Sequence, residues 1–244
     1  MKKKLLSTFV CFGIAAAVAI PVWAQKAAGG QGGELQQKLA AVKQSVTQNQ
    51  QKLHRYQWVE TQQLTLKGEA KPPTQQLCSY GPNGQVQKVP IGQPQQQQQQ
   101  QSGRRGKLKE RVVEKKTEEM QDYMGQVKSI LALYVPPDPQ RMEKAFKAGN
   151  ASLNPGGGGV AQIVFKNYAQ PGDQMTVSFD TAAKKIQQVN VNTYLDEPKD
   201  VVTLSLQFAS LPDGTNYVQQ SVLDATAKQL QVTTTNANYS KLAQ

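Results

Sequence analysis

The 244-residue chain contains one histidine, His54, and two cysteines, Cys11 and Cys78. Nucleophilic catalysis by Ser or Cys and zinc chemistry both lean on histidine, as base or as ligand. His54 stands beside Arg55 at the end of a predicted helix. There an imidazole answers the helix dipole rather than completing a triad or a ligand set. Carboxylates are sparse, at 17 Asp and Glu. Glu118 and Glu119 are adjacent on a predicted helix, where neighbours in sequence do not face each other. Asp196 and Glu197 share a turn. Neither pair makes an acid/base dyad. Gly156 to Gly159 is followed by Val160-Ala161-Gln162, whereas a phosphate loop needs Lys and then Ser or Thr after its glycines. It reads as a hinge. The sequence therefore predicts no catalytic residue, no metal site and no cofactor, and the chain is not expected to be an enzyme.

Charge is the next signal. The 28 Lys and Arg give a net charge of +11. Lys2, Lys3 and Lys4 open the chain, an uncharged apolar run covers Leu5 to Ile20, and Pro21-Val22-Trp23-Ala24 presents small residues one and three positions before a cut. This is the pattern of a cleavable secretory signal over residues 1–24. The apolar run is shorter than the ~20 residues that span a bilayer. An exported chain, periplasmic or secreted, is expected. Cleavage removes three lysines and Cys11, leaving Cys78 without an internal disulfide partner. Arg104 to Lys116 is a basic stretch with no aromatic residue interleaved to stack bases. Nucleic acid is thus not an expected partner. A solvated face or contact with an anionic membrane surface fits better.

The elements that would position a site follow from periodicity. Residues 25–33 read as a flexible leader, and residues 34–244 as a single domain. Leu35, Leu39, Val42 and Val46 form one helical stripe, to about Lys52. Alternation then predicts strands over Tyr56 to Leu66, Gln75 to Tyr80 and Gln85 to Ile91. The last two meet at Gly81-Pro82-Asn83-Gly84, a turn suited to a tight hairpin. The glutamine run Gln95–Gln101 cannot bury apolar surface, so residues 93–107 read as a disordered Gln-rich and basic insertion. Met120, Tyr123, Met124, Val127, Ile130, Leu131 and Tyr134 predict a second helix, stopped by Pro136-Pro137. Asp138 is placed to cap a third, with Pro139 at its first position. From Val160 onward strands alternate with connections too short for parallel crossovers. In the last but one of them Tyr217 and Leu223 fall in one register, Val218 and Val222 in the other, and Leu230 and Val232 close the series. One face carries Ser178, Gln188, Asn190, Ser205, Gln219 and Ser221. A sheet wet on one side and covered on the other is implied. The predicted fold is α+β: a curved antiparallel sheet of roughly eight to ten strands, an open half-barrel with helices on its apolar face.

Met175-Thr176-Val177-Ser178-Phe179-Asp180-Thr181-Ala182-Ala183-Lys184-Lys185-Ile186 is an apolar strand, a small polar turn and Lys before a further apolar strand. With the element order, it resembles the LolA/LolB-like superfamily of periplasmic lipoprotein-carrier proteins. That family's basic-aromatic stretch after the first strands has no counterpart here. The resemblance implies a concave apolar face lidded by helices and able to hold acyl chains, with a lipid or lipoprotein as partner. Trp58, Phe165, Phe179, Leu206 and Phe208 on strands, with Met120 and Met124 on a covering helix, are the expected cavity lining; Met adapts to irregular apolar ligands. The expected function is a non-enzymatic binder or carrier of a hydrophobic ligand in the cell envelope. The alternative is an envelope interaction or structural protein using the Gln-rich and basic segment as contact surface.

Overall fold

The computed structural model describes residues 31–92 and 104–242. The predicted signal peptide, the leader up to residue 30 and the glutamine run lie outside the described residues. Three helices and 11 strands build an α+β domain around one open antiparallel sheet. Helix α1 covers Gln31–Leu53, α2 Arg104–Leu131 and α3 Pro139–Lys147. The strands are β1 Tyr56–Leu66, β2 Glu69–Ala70, β3 Thr74–Tyr80, β4 Val86–Pro90, β5 Ala151–Pro155, β6 Val160–Lys166, β7 Gln174–Asp180, β8 Lys185–Tyr194, β9 Val201–Ser210, β10 Asn216–Ala225 and β11 Leu230–Lys241. Their order across the sheet is β4-β3-β1-β11-β10-β9-β8-β7-β6-β5, with β2 paired to β1.

The meander from β5 to β11 follows from its short connections. The junction between β1 and β11 does not. The second half of β11, Thr233 to Lys241, is polar and lacks alternation, yet it pairs along its length with β1. Backbone groups lodged between two strands must be bonded, and this holds a segment that patterning alone leaves as a tail. β5 is a further strand beyond the expected set; it pairs with β6 from Ala151↔Phe165 to Pro155↔Ala161.

Helix boundaries also shift. α1 starts at Gln31, so the last residues of the predicted leader are its first turn. α2 starts at Arg104, and residues 104–107 of the predicted insertion are helical. It stops at Leu131, before Tyr134, through tightened i→i+3 bonds from Leu133 and Tyr134 to the Ile130 and Leu131 carbonyls. α3 has the expected cap: the Asp138 side chain accepts from the backbone N–H groups of Gln140 and Arg141.

The apolar face divides into two clusters. In the larger, Leu35, Leu39 and Val42 of α1 and Met142 and Ala145 of α3 pack on Ile163, Phe165, Val177, Phe179, Val189 and Leu206 of the sheet. In the smaller, Tyr123 and Val127 of α2 pack on Val202, Leu230 and Val232. Each fully buried aliphatic side chain contributes roughly 1.5–3 kcal/mol, so the helices are held by their stripes rather than by helix propensity.

Candidate functional site

α1 stops at Leu53, and the chain enters β1 at Tyr56 through His54 and Arg55. At this end of the sheet three strands carry an extra residue. In β8 Gln187 has no partner, since Phe179 pairs Ile186 and Ser178 pairs Gln188. In β10 Gln219 is extra, between Val218↔Phe208 and Gln220↔Gln207. β11 gains one between Ala237 and Ser240, opposite Gln57 to Val59; there Asn238 takes a φ of 54°, a left-handed conformation that Asn tolerates. Bulges bend a strand and re-aim its side chains. Three at one end curl the sheet there.

The β10 bulge resets that strand's faces. Beyond it Ser221 pairs with Leu206 and Val222 with Ser205. Residues directly opposite share a face, so Ser221 lies on the apolar side and Val222 on the polar side, each the reverse of uninterrupted alternation. Val218 stays beside Phe208 on the apolar side. The β11 bulge sets Tyr239 against Trp58, with rings stacked 5.6 Å apart. Trp58 Nε1 donates to Asn236 Oδ1 at 3.1 Å, and Asn236 Nδ2 donates to the Val218 carbonyl at 2.9 Å.

A cleft of about 330 Å³ opens where α1 crosses this curled end. Ile186, Phe208 and Val218 form its floor, and Val46 and Leu53 of α1 its roof. Val135 to Pro137 close one flank; Tyr80 and Val86, opposite each other on the β3–β4 hairpin, close the other. Gln50, Val86 and Pro136 are exposed among the lining residues, so the cleft is open to solvent. Gly84 at its turn has a φ of 75° and bonds back to the Gly81 carbonyl at 2.9 Å. Asn49 fixes the roof: its Oδ1 accepts from Asn216 N at 2.6 Å and its Nδ2 donates to the Asn216 carbonyl. The volume sits at the low end of small-molecule sites, which are mostly apolar with a few placed polar groups.

Next to this cleft is a second hollow of about 580 Å³, lined by Lys52, His54, Arg55, Tyr56, Asp213, Lys241 and Leu242. The Tyr56 hydroxyl donates to Asp213 Oδ2 at 2.5 Å and Thr215 N donates to Oδ1 at 3.0 Å. These bonds, the tyrosine's first, hold the Asp213 carboxyl well below the usual carboxylate range. The Tyr56 phenol is raised in return, chiefly by the same bond. His54 stacks on Tyr80 at 4.4 Å. That pair is the wall between the two spaces, Tyr80 lining the apolar cleft and His54 the charged hollow.

The seven residues expected from sequence to line a cavity fall in four places. Phe208 lines the cleft. Phe165, Phe179 and Leu206 are buried in the larger cluster under α1 and α3. Trp58 is buried among Tyr80 and Tyr239. Met124 packs on the smaller cluster under α2, and Met120 is half-buried a turn before it. Val46, Ile186, Val218, Tyr80 and Val135 line the cleft without having been singled out. Val46 was visible on the α1 stripe; the others are brought in by the bulges, the hairpin and the segment after α2. Among the described residues, no group of three or more His, Cys, Asp or Glu is placed to hold a metal ion, and no helix is long and apolar enough to cross a membrane. Cys78 is a buried free thiol; burial, then the nearby Glu60 carboxylate, pushes its pKa up, opposite to the shift that makes a thiol reactive.

No family model matches the chain. No curated protein matches it by sequence either. Among solved structures, a DUF1329 family protein from Desulfovibrio piger is similar over 83% of this chain and 92% of that one, with 8% identity and a TM-score of 0.39. A likeness that distant carries neither ligand nor activity across.

Proposed function

We propose that this chain is an exported, non-enzymatic binder of a hydrophobic ligand such as a lipid or a lipoprotein acyl chain, held in the cleft between α1 and the curled end of the sheet. One observation carries the reading: a space of about 330 Å³, walled by Val46, Leu53, Ile186, Phe208 and Val218 and open to solvent where Gln50, Val86 and Pro136 are exposed. A concave, mostly apolar wall with a few placed polar groups is the usual make-up of a small-molecule site, and an apolar chain seated against it leaves water and gains dispersion contacts. The resemblance of the sequence's element order to the LolA/LolB-like carriers implies a ligand of the same kind. An acyl chain in it would lie along Phe208.

The test is mass spectrometry of an organic extract from protein purified without detergent, for the natural protein and for Phe208→Glu. The natural protein is expected to carry a lipid near one-to-one and the variant to carry none, because a carboxylate on the floor of an apolar cleft must stay hydrated. A folded variant that retains as much lipid as the natural protein overturns the assignment of this cleft.

A further inference from the structure

The charged hollow was not anticipated from sequence. Lys52, Arg55 and Lys241 bring three fixed positive charges to it, against the single carboxylate of Asp213. That carboxylate is already engaged by Tyr56, by Thr215 N and, at 3.8 Å, by Lys241 Nζ. No Asp or Glu among the described residues pairs with Lys52 or Arg55 within 4.0 Å; the described ion pairs involve other lysines and Arg141. Among the described residues, Lys52 and Arg55 thus have no carboxylate at ion-pair distance. Concentrating like charge in one hollow costs free energy unless an anion is present.

The position of the hollow identifies that anion's other end. Leu53 lines the apolar cleft, and its neighbours Lys52 and His54 line the hollow. The two spaces are separated by the stacked rings of Tyr80 and His54. A head group carried past the stacked Tyr80 and His54 rings by a chain lying in the cleft would meet Lys52 and Arg55. The cleft's modest volume suits one chain rather than two.

We infer that the ligand is a single-chain anionic amphiphile, its chain in the cleft beside Phe208 and its phosphate or carboxylate head held by Lys52 and Arg55, with Lys241 adding charge from the far side. Arg55 supplies the forked donors that match either oxyanion, and Lys52 a point charge. This rests on the cleft reading and adds to it the charge of the ligand.

Titration calorimetry with dodecyl phosphate and with dodecanol, each below its aggregation limit, tests it on the full chain. Dodecyl phosphate is expected to bind about tenfold more tightly than dodecanol, as two partly exposed charge contacts of a little under 1 kcal/mol each would give. The double variant Lys52→Gln, Arg55→Gln is expected to erase that preference and leave dodecanol binding unchanged; both residues are exposed, so the fold is kept. Higher salt is expected to shrink the preference, since exposed charges are screened. Equal affinity for the two probes overturns the headgroup inference and leaves the apolar cleft standing. A preference that survives in the double variant overturns the assignment to Lys52 and Arg55. Displacement of dodecyl phosphate by inorganic phosphate at similar concentration overturns the chain-linked site, because the hollow then binds phosphate alone. Binding of neither probe overturns the cleft reading itself.

Discussion

Asp173 is buried, at 2% exposure, in the turn between β6 and β7. Its carboxylate accepts from the backbone N–H groups of Tyr168 at 2.5 Å, Ala169 at 2.8 Å and Gln170 at 2.8 Å, and from the Tyr134 hydroxyl. The Tyr134 oxygen also reaches Thr193 Oγ1 at 2.8 Å. Tyr134 is fully buried and directly precedes the Val135–Pro137 segment that flanks the cleft. Asp173 thus ties the start of that flank to the sheet. Asp173→Ala takes the acceptor from four donors. Ala169 and Gln170 are half-buried and can turn to water. Tyr168 N cannot, and the Tyr134 hydroxyl exchanges a carboxylate for Thr193 Oγ1 alone. Hydrogen bonds to charged groups contribute about 1.5–3 kcal/mol each and neutral ones about 0.5–1.5 kcal/mol, so the stranded Tyr168 N and the weakened Tyr134 bond cost roughly 2–5 kcal/mol together. At ~2–4 °C per kcal/mol for a domain of this size, the melting temperature falls by roughly 4–20 °C. Tyr134→Phe removes one of the four bonds, leaves the backbone donors served, and costs about half as much. Urea unfolding followed by circular dichroism reads both, with the slope checked for constancy. A loss below about 1 kcal/mol for Asp173→Ala, or a larger loss for Tyr134→Phe than for Asp173→Ala, refutes the account of Asp173 as the hub.

Two further outcomes follow from particular contacts. Asn49→Ala removes both bonds from α1 to the backbone of Asn216 and is expected to cost about 1–3 kcal/mol; it should also speed amide exchange in the last turns of α1, and unchanged exchange there shows that the apolar stripe alone seats the roof. At high pH the tyrosines set stability. Burial, then the Asp200 carboxylate, pushes Tyr123 up to about 12, and burial pushes Tyr168 up to about 12. The unfolded phenols ionise near ~10, so the unfolded state sheds protons first. The stability from keeping these groups neutral is complete below pH ~10 and is lost as pH rises towards ~12. Urea midpoints across that window should fall, and the Tyr123→Phe, Tyr168→Phe double variant should fall less; identical slopes remove these two residues from the explanation.

The α1 stripe, the Asp138 cap and the β3–β4 turn were legible because each is a local rule met by neighbouring residues. Leu35, Leu39 and Val42 need only a 3.6-residue period, and Asp138 needs only the two N–H groups that follow it. The cleft was legible only at Phe208. Gln187 and Gln219, the extra residues of β8 and β10, stand in glutamine-rich strands where nothing marks one polar residue as unpaired. An unmarked insertion of one residue reverses every later face assignment in its strand, since the side-chain period is two. That is why Ser221 and Val222 exchanged sides while Val218 and Phe208 stayed together. It also explains why apolar character alone did not separate lining from core. Phe165, Phe179 and Leu206 have the same side-chain chemistry as Phe208, but they lie under α1 and α3, where the sheet is regular and packing closes over them. Phe208 lies beside the β10 bulge, opposite Val218, and lines the cleft under α1. What distinguishes it is the bulge beside it: deleting Gln219 would restore regular alternation, keep Val218 opposite Phe208 and Gln220 opposite Gln207, and remove the local bend of β10.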